Sequence, residues 1–335
     1  MPKTYTWGII GPGKIAQSFA RDLLLLPNAR IGAVASRSQE RASAFAEEFG
    51  VEKTYSSYGA LNTDPEIDII YVATLHTGHY LDTLLGLNNG KHVLCEKPVA
   101  MNSRQLEHMI STACNKGVFF MEALWTRFLP SFVKCLELLH DNVIGDLRII
   151  NADFCINPPY NEDSRLFNPE KGGGSLLDIG IYPVFLALEA AGEPEVISSV
   201  ATLGPASVDT TCSILMRHAN GIQSILYSST KTNSRNEALF CGSKATLRLK
   251  RFWHTQTTLE LLTDDREPVQ FTFDNPGSGY QFEAAEVMRC CDQSLSESTI
   301  WSWEKSRRLM RTLDTIRAQS GIRYPPGIEQ VVRIG

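Results

Sequence analysis

Residues 4–10 tighten into an apolar run, Trp7 to Ile10, that stops at Gly11-Pro12-Gly13. Beyond that turn Ile15, Phe19, Leu23 and Leu26 recur at the spacing of one helical face, until Pro27 ends the pattern. Ile31 to Ala35 reads as a second strand. Ile67 to Ala73 and His92 to Cys95 read as two more, separated by a helical stretch from about 78 to 89. Ser103 is placed to cap a helix running to about Lys116, and Val118 to Met121 adds another strand. Strands alternating with helices predict a parallel sheet covered on both faces.

The rhythm changes after about residue 124. A strand from Leu147 to Ile156 leads into a loop over 157–169 that is rich in proline and asparagine, then into Gly172-Gly173-Gly174. A helix is expected from about Leu176 to Ala191. β-like runs follow in series: Val196–Leu203, Thr210–Met216, Gln223–Ser228, Ala238–Cys241 and Thr246–Leu249, with turns such as Ala219-Asn220-Gly221 between them. Strands in a row predict an antiparallel or mixed sheet. A helical pattern returns near 303–319. The expected fold class is α/β. A doubly wound parallel-sheet domain covers 1–123, and an α/β domain with an open, mostly antiparallel sheet covers 124–335.

At 335 residues and 43% hydrophobic, the chain suits two domains with sizeable cores. A net charge of -5 and a pI near 5.9 argue against a nucleic-acid partner, which needs a basic stripe. No stretch approaches the roughly 20 uninterrupted apolar residues of a membrane span, and the N-terminus carries no apolar signal core. Eight scattered cysteines without a C-x-x-C pair read as reduced thiols in a cytoplasmic protein. No metal is expected: His76 and His79 lack an identifiable third ligand.

Gly11-Pro12-Gly13-Lys14-Ile15-Ala16 fits G-x-G-x-x-A between a strand and a helix. The first glycine permits the turn, the second lets backbone approach a pyrophosphate, and Ala16 permits close packing of helix on strand. The helix start offers free N–H groups to the phosphates. Where NAD enzymes place an acid after the second strand, this chain has Ser36-Arg37-Ser38, with Arg41 one turn on. Those groups suit a 2′-phosphate, so NADP is expected over NAD. Thr74, His76 and His79 follow a strand whose carboxyl end would face the same cofactor.

Two further clusters carry reactive groups. Glu96-Lys97-Pro98 sits after the run Val93-Leu94-Cys95, at the end of a parallel strand where ligands gather. Asp178 and Tyr182 stand four apart in an expected helix, which puts them on one face. Phenol is a poor base at neutral pH, and a nearby ammonium favours the phenolate. Lysine, tyrosine and an orienting carboxylate therefore make a proton-transfer set, with either Lys97 or Tyr182 as the immediate acceptor. Trp125 and Arg127, near the expected domain boundary, suit a ring-shaped hydroxylated ligand.

Together, Gly11-x-Gly13-x-x-Ala16, Glu96-Lys97-Pro98 and Asp178-x-Gly180-x-Tyr182 resemble the glucose–fructose oxidoreductase/inositol dehydrogenase family. The stretches Leu94–Pro98, Met121–Ala123 with Trp125–Phe128, and Leu176–Tyr182 resemble one branch of it, the trans-1,2-dihydrobenzene-1,2-diol and NADP-dependent D-xylose 1-dehydrogenases. The resemblance implies a Rossmann domain followed by an α/β domain whose open sheet face forms a homodimer. It implies Lys97 and Tyr182 as proton-transfer residues with Asp178 orienting them, Glu96 at the cofactor, and His79 at cofactor and substrate. It also implies a sugar or diol pocket including Trp125, Arg148, Phe154 and Trp253. The loop 157–169 matches no family pattern and is a place for substrate identity. A reductase of sugar ketones or dicarbonyls using NADPH would share every one of these residues. A non-catalytic NADP-binding regulator would be expected to have lost Lys97 or Tyr182, and both are present.

Overall fold

The computed structural model describes residues 3–332. Two compact units emerge, each built from separate stretches of chain. The first holds residues 1–125, 275–307 and the chain from Gln330; the second holds 126–274 and 308–329. This corrects the expected continuous second domain over 124–335. Residues 275–307 belong with the first unit.

The first unit begins β1 (Tyr5–Ile10), α1 (Lys14–Leu23), β2 (Ala29–Ala35), α2 (Gln39–Phe49), β3 (Lys53–Tyr55) and α3 (Tyr58–Asn62). It continues β4 (Ile69–Val72), α4 (His76–Asn88), β5 (His92–Glu96), α5 (Ser103–Lys116) and β6 (Phe120–Ala123). The strands pair in parallel in the order β3-β2-β1-β4-β5-β6. Every residue of the central strands β1 and β4 is buried, as strands covered on both faces require, and the edge strand β6 is buried throughout as well. The order reverses between β1 and β4, so their carboxyl ends frame the crevice of a doubly wound sheet. The cap of α5 is Asn102, whose side chain accepts from Gln105 N at 3.0 Å, so Ser103 is the first helical residue rather than the cap.

In the second unit come α6 (Pro130–His140), β7 (Leu147–Cys155), α7 (Ile181–Ala191), β8 (Pro194–Leu203), β9 (Asp209–His218), β10 (Gln223–Ser229) and β11 (Ala238–Gly242). The sheet is completed by β12 (Thr246–Leu249), β13 (Leu259–Thr263) and β14 (Arg266–Phe271). Strand order is β14-β13-β12-β11-β7-β10-β9-β8, and only the β7–β10 pair is parallel. One face is covered by α7, which is apolar nearly all round. The run Pro169–Ala191 has the length and hydropathy of a membrane span, yet most of it is buried within this unit. The opposite sheet face carries Val196, Val200, Leu215, Ile225 and Ile149 on paired strands, all exposed, with Val200 at 67% and Leu215 at 56%.

Two helices close the chain, α8 (Tyr280–Asp292) and α9 (Trp303–Ser320). The N-terminus of α8 is held by Asp22 of α1. That buried carboxylate accepts from Ser278 N (3.0 Å), Gly279 N (2.8 Å) and Tyr280 N (2.9 Å). Three charge-assisted bonds at a helix start satisfy donors that would otherwise be orphaned.

Candidate active site

In the first unit the crevice is lined by the turn after β1. Gly11 has φ +84, and a Cβ there would sit 2.8 Å from the Ala73 carbonyl oxygen, so both conformation and space demand glycine. Gly13 differs: a Cβ would meet nothing nearer than 4.0 Å. The space above it is open, and a side chain would fill it. The first α-helical bond of α1 is Gln17 N to Gly13 O, and no side chain caps the helix. The Lys14, Ile15 and Ala16 amides therefore precede the ladder and face that space, which is the cradle a pyrophosphate needs. Pro12, Gly13, Lys14, Gln17, Arg41 and Phe45 line one pocket beside it.

Ser36 is buried, and its hydroxyl accepts from Ser38 N at 3.1 Å. Ser38 in turn caps α2 by accepting from Arg41 N. This fixes the turn that carries Arg37 and Arg41, both exposed. No acid stands between β2 and Glu40. The residues present fit a dinucleotide.

Lys97 follows β5, and the Lys97-Pro98 peptide is cis. Three neighbours pin this turn. His79 places Nδ1 2.8 Å from the Pro98 carbonyl and Nε2 3.1 Å from that of Thr74. Glu122, buried, accepts from Val99 N at 3.1 Å. Glu96 accepts from Lys97 N at 3.2 Å and from the Tyr71 hydroxyl. Burial drives the His79 ring down to about 4, with the Lys97 charge pushing the same way, so His79 is neutral at working pH. A neutral ring carries one N–H, so it donates to one of these two carbonyls, Pro98 or Thr74, and its work here is to brace the turn. His76 stands edge-on to it at 5.8 Å. Trp125 stacks on Tyr280 with centroids 4.4 Å apart.

In the second unit the helix expected from Leu176 opens as a π turn, Leu176–Gly180, before α7. Pro183 cannot donate to the α ladder, which favours the wider turn there. Gly174 has φ +122, and a Cβ on it would overlap Asp209 Oδ1. Asp209 accepts from Ser175 Oγ (2.8 Å) and Leu176 N (2.6 Å), which anchors the start of the turn. Asp178, buried on this turn, accepts from Arg165 Nη1 at 2.7 Å. Tyr182 lies 5.6 Å from the Phe154 ring and 5.3 Å from that of His254. His254 stacks on Phe154 at 3.9 Å. Tyrosine, carboxylate, arginine and an aromatic wall thus share one neighbourhood.

Three expected pocket residues do not join them. Trp253 is fully buried, with its indole N–H on the Asp153 carbonyl at 2.8 Å, so it is core. Arg148 is exposed and pairs with Asp146. It lies six residues along β7 from Phe154, roughly 20 Å away in an extended strand. Arg127 gives Nε to the buried carboxylate of Glu189 at 2.6 Å, which makes it part of a core ion pair. Conversely, Arg165 and His254 escaped sequence reading. Neither sits in a motif, and their partners are distant in the chain.

The Gly-rich cradle at the switch point of a 3-2-1-4-5-6 sheet and the Glu96-Lys97-Pro98 turn define an NAD(P)-binding oxidoreductase. Two family models agree. Residues 5–124 match the oxidoreductase family with NAD-binding Rossmann fold, and 132–248 match the GFO/IDH/MocA C-terminal domain. The chain belongs to the GFO/IDH/MocA family, and its class is that of dehydrogenases acting on CH–OH donors. It is 36% identical over 331 residues to a trans-1,2-dihydrobenzene-1,2-diol dehydrogenase of Xenopus laevis, covering 95% of this chain and 99% of that one. The Mus musculus protein of the same name is also 36% identical, over 329 residues, covering 95% and 98%. Among solved structures, a 3-ketoreductase from Actinomadura kijaniata in complex with NADP and TDP-benzene superposes with TM-score 0.86 at 25% identity, covering 95% and 98%. A levoglucosan dehydrogenase in complex with NADH shares the fold at TM-score 0.85 and 18% identity, covering 95% and 97%.

Proposed function

We propose that this enzyme oxidises a CH–OH group of a trans-dihydrodiol or of a sugar such as D-xylose, with NADP+ as cofactor and Lys97 and Tyr182 as the proton-transfer pair. The observation that carries the reading is the cradle at α1. It joins open space over Gly13 and unladdered amides at 14–16 to Arg37 and Arg41 with no acid after β2. Relatives 36% identical are named for a diol, and the 25%-identical ketoreductase was solved with NADP.

When bound, the nicotinamide would accept the hydride. The chain's own residues handle the proton and the orientation. Tyr182 takes the hydroxyl proton, and the Lys97 ammonium favours the phenolate. Asp178, held by Arg165, orients a substrate hydroxyl or the lysine. Phe154 and His254 offer apolar faces to a ring. A cytoplasmic setting, expected from eight scattered cysteines without a C-x-x-C pair, is part of this proposal.

Absorbance of NADPH should rise when the protein meets NADP+ and a trans-dihydrodiol or D-xylose, and rise more slowly with NAD+. D-glucose and myo-inositol complete the panel. Tight NADP+ binding without turnover of any member would reject the substrate class and favour a ketone reductase.

The open sheet face supports a homodimer, because four adjacent strands expose five aliphatic side chains on it. Leu215→Glu with Val200→Glu should convert a dimer to a monomer in light scattering. A monomeric wild type would refute the reading.

A further inference from the structure

The loop over 157–169 and the triple glycine after it are built as one device in the second unit. The loop turns back on itself across 161–168. Ser164 N donates to Asn161 O at 3.0 Å, and the Phe167 and Asn168 amides donate to Ser164 O at 3.2 and 3.1 Å. Phe167 is buried, and Tyr160 packs on it with ring centroids 5.0 Å apart. The glycines receive this turn. Gly173 N donates to Asn168 O at 3.0 Å and Gly174 N to Leu166 O at 2.9 Å. A Cβ on Gly173 would lie 2.8 Å from the Leu166 carbonyl oxygen and 2.9 Å from those of Arg165 and Asn168. Only a residue without a side chain lets the loop backbone come this close. Residue 165 is thereby held beside the π turn, and its Nη1 reaches Asp178 Oδ1 at 2.7 Å. The carboxylate side chain is 5% exposed and the arginine side chain 51%, so the guanidinium joins a buried acid to the open surface of the site.

The chemistry of this pair selects a ligand group. A carboxylate only accepts and a guanidinium only donates, whereas a hydroxyl does both. Side by side, the two read a C–OH through its hydrogen and its oxygen together. An ether, a ketone or a C–H cannot answer both. Tyr182 stands four residues beyond Asp178, a spacing that makes neighbours on a helix surface. The Phe154 and His254 rings flank Tyr182 and offer their faces to a ring that carries the hydroxyls.

We propose that Arg165 is a specificity residue: together with Asp178 it holds the hydroxyl on the carbon next to the one oxidised, so the enzyme requires a vicinal diol. The proposal rests on the oxidation reading above. It assigns the loop 157–169 a definite task, which is to carry the donor half of the hydroxyl reader, and the triple glycine the task of seating that loop.

The test is kcat/KM with NADP+ for two pairs of probes, trans-1,2-cyclohexanediol against cyclohexanol and D-xylose against 2-deoxy-D-xylose, in wild type, Arg165→Met and Arg165→Lys. In whichever pair it oxidises, wild type should prefer the vicinal diol by about 100-fold or more, because the analogue lacking that hydroxyl leaves buried polar groups unanswered. Arg165→Met should cut the preference by about tenfold or more, chiefly by slowing the diol. Arg165→Lys keeps the charge and loses the planar fork, so it should recover part of the preference. An arginine that only braces the fold would slow both members of a pair alike and leave their ratio at the wild-type value, and that result would overturn the proposal. A wild type that takes the mono-alcohol as readily as the diol would overturn it too, while keeping the oxidation reading. Should Arg165→Met fold poorly, the ratios of wild type and Arg165→Lys decide the matter. Wild type that binds NADP+ and oxidises no member of either pair would overturn the oxidation reading itself, and this proposal with it.

Discussion

Lys97→Met should lower turnover by about 10²- to 10⁴-fold, and Tyr182→Phe by a similar factor, with NADP+ affinity nearly unchanged. Methionine keeps the length and loses the ammonium; phenylalanine keeps the ring and loses the only proton acceptor at that position. Neither change touches the amides of α1 or the arginines after β2, so cofactor binding is spared. On the proposed pairing in one proton transfer, the double variant should cost little more than the worse single one. Steady-state kinetics with a fluorescence titration of NADP+ separates the effects. Full turnover in either single variant would remove that residue from the chemistry. A double variant whose losses multiply would mean two independent roles.

Glu283→Gln should change how stability depends on pH. Glu283 lies on α8, fully buried, with no hydrogen-bond partner for either carboxyl oxygen. Burial first, and then the charge of Glu96, hold its carboxyl well above the ordinary glutamate value. The folded chain thus keeps a proton that the unfolded chain releases near ~4.3. An acid raised in the folded state costs nothing below that pH. Above it, stability falls by about 1.4 kcal/mol per pH unit for as long as folded Glu283 stays protonated. Glutamine cannot ionise, so this slope disappears. Its unpaired amide costs about 1–3 kcal/mol at every pH and shifts the curve without tilting it. Urea unfolding from pH 5 to 8 should show the variant gaining on wild type as pH rises. Other buried acids, Glu122 and Asp209 among them, titrate in both proteins and cancel in the difference. Parallel curves would mean that Glu283 is ionised in the fold.

The parts of the molecule legible in sequence were those where one physical demand dominates. Gly11, Gly13 and Ala16 announce themselves because a turn, an open cradle and a close packing each tolerate few residues. Lys97 was legible from a strand and a proline on either side. The helix α8 was not, because Gln281, Glu283 and Glu286 are buried and break the apolar stripe that marks a helical face. Gln281 is held by Asn275 and Glu286 by Arg289 and Ser298, Glu283 has no hydrogen-bond partner, and no apolar pattern announces any of them. β14 is exposed along nearly its whole length, so it lacks the alternation that reveals a strand. His254 joins Phe154 and Tyr182 only through folding, whereas the π turn had a visible sign in Pro183. Trp253 and Arg127 show the opposite failure. An indole or guanidinium near a site suggests a ligand, but these two find their partners in the core.

The grip of Asp22 on residues 278–280 bears on how the protein is made. The nucleotide-binding half begins at the N-terminus, but its α8 belongs to the last quarter of the chain. On a ribosome, the carboxylate of Asp22 emerges 257 residues before the Gly279 amide it must hold, and at about 5–20 residues per second that is a wait of roughly 13–50 s. During that interval the N-terminal sheet lacks one of its covering helices. It follows that a fragment cut at residue 125 is not a free-standing dinucleotide-binding module. A transplantable module would need residues 275–307 spliced back on.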